Sequence, residues 1–553
     1  MRPCPARRRA GWAGHRLAFR YPDSTTTHIA MNVFRLHSTA WATGILLLLV
    51  LGPLVLLQGC TDLDEEVFGA VTAENFYQTE DEIIAALAPL YAQLRGVLDD
   101  YHNLSQVSTD ETIVPTRGSD WFDGGIWQNT HRHTWDANLG FLNGAWVTAY
   151  TGVARANGLL QTLETADVPN KDAIVAETRA LRAFYYYLLM DLFGNIPLVG
   201  DEPGEYTVDQ ENLPPTEPRP KVFAFIESEL LAARENLPVQ HPAEGYGRLT
   251  QGAVDALLAN MYLNAQVFSG TVTESGLTPG DARWQDAIDA ADRVLNSGVY
   301  SLSEDWASIF APGNAENPEH IFVVAHLPQD GLGMNFIMRT LHYNQYVPSP
   351  WNGFSTLAET FGKFDEDDSR RGIFLVGQAY SFITGEPVNN RQDEPLIFTP
   401  EINDFTDATE GEGVRILKFP PDPSSVGPNH GNDYPFFRVA EMYLIKAEAL
   451  NELNGPNQES IDLLNDLRAR VFEPDEPLVL ADYPTQQALR DRILDERLYE
   501  LFYEAKRRQD LIRHGKFTQA WAFKAESQPY RILFPIPQTQ LDANPMLQQN
   551  PGY

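Results

Sequence analysis

The sequence predicts a mainly α-helical protein, built from degenerate tetratricopeptide-like helix hairpins and interrupted by long irregular insertions. Three observations carry this expectation. Apolar residues recur at steps of three and four along most of the chain. Small residues such as Ala256, Ala259, Ala287 and Ala291 fall inside the paired segments, where they let helices approach closely. Between the pairs lie stretches rich in Gly, Pro, Asn and Asp with no sustained period.

Taken in order, the first helix is expected at 79–98 and the second at 141–165. Ile174, Thr178, Leu181, Tyr185, Leu188 and Leu192 give the third a single apolar face, and Gly194, Asn195 and Pro197 stop it. A fourth is read at 219–236. Val254, Leu257, Leu258, Met261, Ala265 and Phe268 form the next stripe, closed by Ser269 and Gly270. Trp284, Ala287, Ile288, Ala291 and Leu295 form its partner, closed by Gly298, so these two read as an antiparallel hairpin. Further helices are expected at 434–453, 458–471 and 486–513. In the last of these, Glu504 and Arg508 stand one turn apart and are expected to pair. No clean 34-residue self-similarity is present, so any repeats are degenerate.

The insertions fall at 103–140, 198–218, 270–281 and above all 298–433. Long loops without regular structure in a compact protein are usually functional.

Composition narrows the partners. A chain of 553 residues with 43% hydrophobic content buries a large core, and its formal charge is -34. Residues 1–59 hold seven Arg against Asp23 alone, so the remainder carries -40. Such a field repels every phosphate, which argues against nucleic acid as a partner. Only eight residues are Lys. An acidic coat this dense is best tolerated where salt screens it, so low ionic strength is expected to destabilise the fold. Of the two cysteines, Cys4 lies in the leader, which leaves Cys60 with no thiol to pair with.

The N-terminal segment reads as a leader. Ile45 to Leu57 is an apolar run of about thirteen residues, short of the roughly twenty that a spanning helix needs. Arg35 and His37 precede it as in a secretion signal. Leu57 and Gly59 before Cys60 resemble the lipobox of bacterial lipoproteins, although Gln58 is larger than the residue usual at its position. Cys60 is therefore the expected lipidated first residue, held by more than one acyl chain. Met31 is a more conventional start than Met1.

Several long segments, in order, then carry a resemblance. The lipobox followed by Asp62-Leu63-Asp64, the run Glu177 to Leu188 continuing through Phe193-Gly194-Asn195-Ile196-Pro197, and the run Arg438 to Ala449 are similar to the SusD/RagB family. So are Asp495-Glu496-Arg497, Arg507-Arg508-Gln509-Asp510, Leu533 to Pro537 and Asn550-Pro551-Gly552-Tyr553. The resemblance spans the chain from Cys60 onward. It implies a lipid-anchored, surface-exposed protein of the outer membrane that binds a nutrient, commonly an oligosaccharide, and delivers it to a SusC-like TonB-dependent transporter. It also implies helix hairpins in a right-handed arrangement, with loops forming the ligand face. The organisation is then a leader at 1–59, an N-terminal part at 60–236 with the aromatic loop 103–140, and a C-terminal part at 237–553 with the insertion 298–433.

Two loops have the chemistry of a ligand site. Residues 115–138 hold Trp121, Phe122, Trp127 and Trp135, flat rings suited to the C–H faces of sugars, beside Arg117, Asp120, Asp123 and Asn129 for hydroxyl groups. Residues 343–354 offer Tyr343, Tyr346, Trp351, Asn352 and Phe354. The residues expected at the ligand are Arg117, Asp120, Trp121, Trp127, Trp135, Tyr343, Trp351 and Asn352. His131, His133 and Asp136 make too small a set for a metal centre, and ordinary loop hydrogen bonding is the expectation. The tract Asp365 to Asp368 reads as a solvated turn. The chain has no nucleophile elbow, no phosphate-binding loop and no zinc-protease helix, and neither catalysis nor a cofactor is expected.

Overall fold

Thr79 opens the first helix with a reciprocal cap. Its hydroxyl accepts the Glu82 amide at 3.3 Å, and Glu82 accepts the Thr79 amide at 3.0 Å. The structure, a computed structural model, describes residues 79–553 apart from 202, 203, 205, 209 and 210. The leader, Cys60 and the acidic segment after it lie outside the described residues.

Helix α1 (Glu80–Val107) runs nine residues past its expected end. Beyond residue 100 it is buried on every side, with the polar His102, Asn103, Ser105 and Gln106 enclosed beside Leu104 and Val107, so no exposed face marks it as helix. Helix α2 (Ile126–Arg132) is a short turn inside the aromatic loop. Helices α3 (Gly140–Thr165), α4 (Lys171–Phe193), α5 (Arg219–Arg234), α6 (Gln251–Leu263) and α7 (Trp284–Leu295) follow the expected stripes. Gly194, at φ +69°, ends α4 where the sequence places the stop. The α6 stripe breaks at Asn264 and resumes for one turn to Phe268.

Each helix packs on the next: α1 on α3, α3 on α4, α4 on α5, and α6 on α7. The α3–α4 contact is close because Gly152 has no side chain; a Cβ there would lie 2.5 Å from the Tyr185 ring. Tyr185, Tyr186 and Tyr187 are all buried in one continuous core that reaches Ile536. The C-terminal tail joins this core. Phe534 donates its amide to Leu192 O at 2.9 Å, and the Asn550 amide group reaches Phe193 O at 2.7 Å and Phe534 O at 2.8 Å.

Two expectations are corrected. The segment 434–453 is not helical throughout. Tyr434–Arg438 is strand β4, antiparallel to β3 (His320–Val324), and helix α8 (Val439–Asn454) begins after it. Both strands are buried along their whole length, a pattern that looks the same as one side of a buried helix. Thr271–Thr273 and Gly276–Thr278, strands β1 and β2, make a short hairpin inside the insertion 270–281.

The long terminal helix is also broken. It divides into α10 (Gln486–Leu501) and α11 (Arg507–Arg513), after α9 (Gln458–Arg468). Tyr503 and Ala505 between them have φ +64° and +59°. The break frees Glu504 to pair with Lys418 at 2.5 Å and Arg438 at 2.8 Å, while Arg508 turns to Asp191 at 3.1 Å. The expected Glu504–Arg508 pair therefore does not form.

This rearrangement ties the long insertion to the scaffold. Arg438 also reaches Glu319 and Glu500, each at 2.6 Å. Arg370 meets Glu496 at 2.8 Å and Glu500 at 2.9 Å. Glu319, Arg370 and Lys418 come from the insertion and the glutamates 496–504 from the α10 region, all buried. Charges removed from water in this way hold together only with close partners on every side.

Candidate functional site

The aromatic loop starts from a tight turn. Arg117 and Asp120 exchange backbone hydrogen bonds at 3.0 and 3.1 Å across Gly118, whose φ is +64°. Trp121 and Asp123 follow with φ +63° and +42°, values that L-residues rarely adopt. The contorted backbone turns Phe122 outward, 53% exposed. Trp121 lies half-buried across the second loop. Its indole N–H donates to Trp351 O at 2.6 Å, and a Cβ on Gly353 would come within 2.3 Å of its ring, so that close approach requires glycine.

The polar half of the site centres on Asp120. Tyr343 donates its hydroxyl to Asp120 Oδ2 at 2.6 Å, and Arg391 donates to the same oxygen at 3.0 Å. The Arg391 guanidinium lies 4.2 Å above the Tyr343 ring and reaches Glu410 at 2.5 Å. Glu410 also accepts from the Arg391 amide and from His342 Nε2, both at 2.9 Å. His342 Nδ1 accepts the Asn344 amide at 3.2 Å, so the proton sits on Nε2. Burial pushes the His342 imidazole down to about 4, which keeps it neutral at pH 7. For Glu410, burial pushes the carboxyl up, but the Arg391 and His342 hydrogen bonds outweigh it and hold the group below its ordinary value.

The floor is held by two buried arginines with no direct carboxylate partner among the described residues. Arg117 donates to Asn352 O at 3.0 Å, Ser355 Oγ at 3.2 Å and Glu412 O at 2.8 Å, and also to Thr409 O. Arg415 donates to Asn352 Oδ1 at 3.1 and 2.9 Å and to Glu410 O at 2.6 Å. Burial lowers the Arg117 guanidinium to about 10. Around this floor the segment 374–398 adds exposed Tyr380, Phe382 and Ile383, docked through the Phe382 amide on Gln345 O at 2.8 Å.

Two family models match the chain. The one described as SusD family covers residues 399–553, and the one described as starch-binding associating with outer membrane covers 77–263. SusD-like protein P25 of Formosa agariphila is 23% identical, over 89% of this chain and 96% of its own. The starch-binding protein SusD of Bacteroides thetaiotaomicron is 24% identical, over 68% of this chain and 72% of its own. A solved laminarin-binding SusD-like protein superposes with a TM-score of 0.67 at 26% identity, covering 86% of this chain and all of that one. The chain belongs to the SusD/RagB family.

In this SusD-like chain the eight residues singled out from sequence separate into two groups. Asp120, Trp121, Tyr343 and Trp351 are partly exposed and converge on one surface. Arg117, Trp127, Trp135 and Asn352 are buried beneath it. Trp127 is wedged against Phe354 and Phe141, and its N–H donates to Asp123 at 2.8 Å. Trp135 packs on His133 and Phe534 and donates to the Tyr553 hydroxyl at 2.8 Å. Neither ring has an open face, and Asn352 is spent on Arg415. Of the eight residues expected at the ligand, these four therefore lie beneath the surface on which the other four converge.

The histidines are equally structural. His131 bonds Ala522 O at 3.0 Å, and His133 bonds Ser108 O at 2.8 Å and Ser527 Oγ at 3.0 Å. Asp368 caps the turn at Arg370 and ion-pairs with its side chain. Sequence reasoning missed Arg391, Glu410 and His342. No motif marks them, because they meet Asp120 only after the insertion folds back across the aromatic loop.

Proposed function

We propose that this protein binds an oligosaccharide at the surface formed by Asp120, Trp121, Phe122, Tyr343, Trp351 and Arg391, without turning it over. In this reading it is anchored by lipid on Cys60 at the cell exterior and passes its ligand to a SusC-like TonB-dependent transporter. The observation that carries the proposal is the pairing of ring faces with an adjacent carboxylate and guanidinium, Asp120 and Arg391, at 3.0 Å. Stacking on rings satisfies the apolar faces of a sugar, and a neighbouring acceptor and donor satisfy its hydroxyl groups. The names of the starch-binding and laminarin-binding relatives support the ligand class. Buried Arg117, Trp127, Trp135 and Asn352 hold the loops in place.

A glycan array on the soluble form lacking residues 1–60 tests the ligand class. Retention without new reducing ends is expected; release of reducing ends would instead make the protein a hydrolase. The partnership is tested by mild-detergent extraction, which should yield a complex much larger than the 62.0 kDa chain. The anchor is tested by mass spectrometry of the native N-terminus, which should begin at an acylated Cys60.

A further inference from the structure

Resting on the reading that the protein binds glycans, we propose a second glycan-binding site around Tyr246, separate from the aromatic rim. Two clefts of about 470 and 360 Å³ share one ridge, Tyr246-Gly247-Arg248. None of their lining residues belongs to the surface around Asp120, Tyr343 and Arg391. Tyr246 lines both clefts and is 39% exposed.

The ring is held although it is exposed. Its hydroxyl donates to the buried carboxylate of Asp433 at 2.7 Å, and the other Asp433 oxygen accepts the His326 amide at 2.7 Å. Gly247, at φ +80°, turns the chain immediately after it. Arg248 then secures the ridge through two hydrogen bonds to Glu177, at 2.9 and 2.6 Å. An exposed tyrosine ordinarily keeps its rotamer freedom and loses it on binding; this one is ordered beforehand, which removes part of the entropic penalty of association.

The walls have the mixed character of a sugar site. In the larger cleft Pro242, Tyr300 and Phe322 supply apolar surface, and Gln240, Glu316 and Asn317 supply polar groups. The smaller cleft is more apolar, built on α1 through Leu87 and Tyr91 with Arg95 at its edge. Glu177 neutralises Arg248, and Glu316 on the larger cleft offsets Arg95 on the smaller. No excess of positive charge is left to hold a uronate or sulfate, so the geometry assigns an uncharged glycan long enough to cross the ridge. Two weak sites on one molecule then act together on a polymer, the second contact being made at high effective concentration.

The test uses the soluble protein lacking residues 1–60, laminarin and soluble starch in native affinity gels, and laminarihexaose and maltohexaose in calorimetry. On whichever glycan retards the parent, a second hexaose equivalent is expected. Tyr246→Ala should remove one equivalent and weaken retardation by the polymer roughly threefold, while Trp121→Ala removes the other. Because Tyr246→Ala leaves Asp433 Oδ2 without the Tyr246 hydroxyl, Ala315→Trp serves as a second variant, filling the larger cleft while leaving Tyr246 in place. The proposal is overturned if the parent binds one equivalent, if both cleft variants match it in the gels, or if Trp121→Ala abolishes all binding. A parent that binds neither glycan also overturns it, whereas the wider function falls only if the whole glycan array is blank.

Discussion

Arg438 and Arg391 are both ringed by carboxylates, yet they occupy opposite environments. The Arg438 side chain is 1% exposed, among Glu319, Glu500 and Glu504 at 0–1%. The Arg391 side chain is 46% exposed, between Asp120 at 33% and Glu410 at 9%. The same chemistry therefore serves two ends. In the interior, charges that have left water need their partners and hold the insertion to the scaffold. At the rim, charges still in contact with water contribute little to stability and remain open to a ligand.

The most severe way to probe this contrast is Arg438→Ala, which removes the cation that Glu319, Glu500 and Glu504 share and leaves them to Arg370, Lys418 and Arg470 at their edges. A loss of about 3–5 kcal/mol is expected, read by denaturant unfolding. Trp135→Ala should cost a similar amount, about 3–5 kcal/mol, through the cavity it opens. Trp121→Ala should behave in the opposite sense, weakening glycan binding about tenfold or more, with a stability change smaller than that of Trp135→Ala. Equal stability losses for the two tryptophans would erase the distinction between rim and support.

Acid and base sharpen the same comparison through two neighbours on one buried segment. Burial pushes Asp110 up, but the Arg507 charge and hydrogen bonds, with Lys363, outweigh it and leave the carboxyl at about 2. Its folded value lies below its unfolded one, so its stabilisation is present above about pH 4 and is lost as pH falls toward 2. Burial raises Glu111 to about 8 despite Arg507. The folded protein keeps that proton while the unfolded chain releases it, so stability declines as pH rises from about 4.5 to 8. Glu111→Gln should flatten this decline, as measured by denaturant midpoints at pH 5 and pH 8. The smallest effect is expected for Arg391→Ala, within about 1 kcal/mol of parent stability, while glycan affinity falls several-fold.

Much of the scaffold was legible because α7 buries one face and leaves the other wet, and because α4, although buried throughout its second half, carries an apolar stripe closed by Gly194. Legibility failed where complete burial came without a stop signal or a clear stripe. Strand β4 shows no alternation between apolar and polar positions, so its period could not be read, and the far end of α1 was masked by His102, Asn103, Ser105 and Gln106, polar residues that the fold buries. The break before α11 was hidden because Tyr503 and Ala505 are ordinary helix residues by propensity, held at positive φ by Glu504 reaching Lys418 and Arg438. At the site, the aromatic loop was visible from its composition, but composition does not separate Trp121 from Trp135. That distinction depends on Gly353 beneath one ring and Tyr553 beside the other, contacts made across hundreds of residues.

The bond between Trp135 and Tyr553 joins positions 418 apart in the chain. A polypeptide emerging from the ribosome can wind α3 and α4 early, but the lock on its aromatic loop does not exist until residue 553 has been made. The lock beneath the aromatic loop therefore forms later than the local winding of α3 and α4, once residue 553 is available to close it.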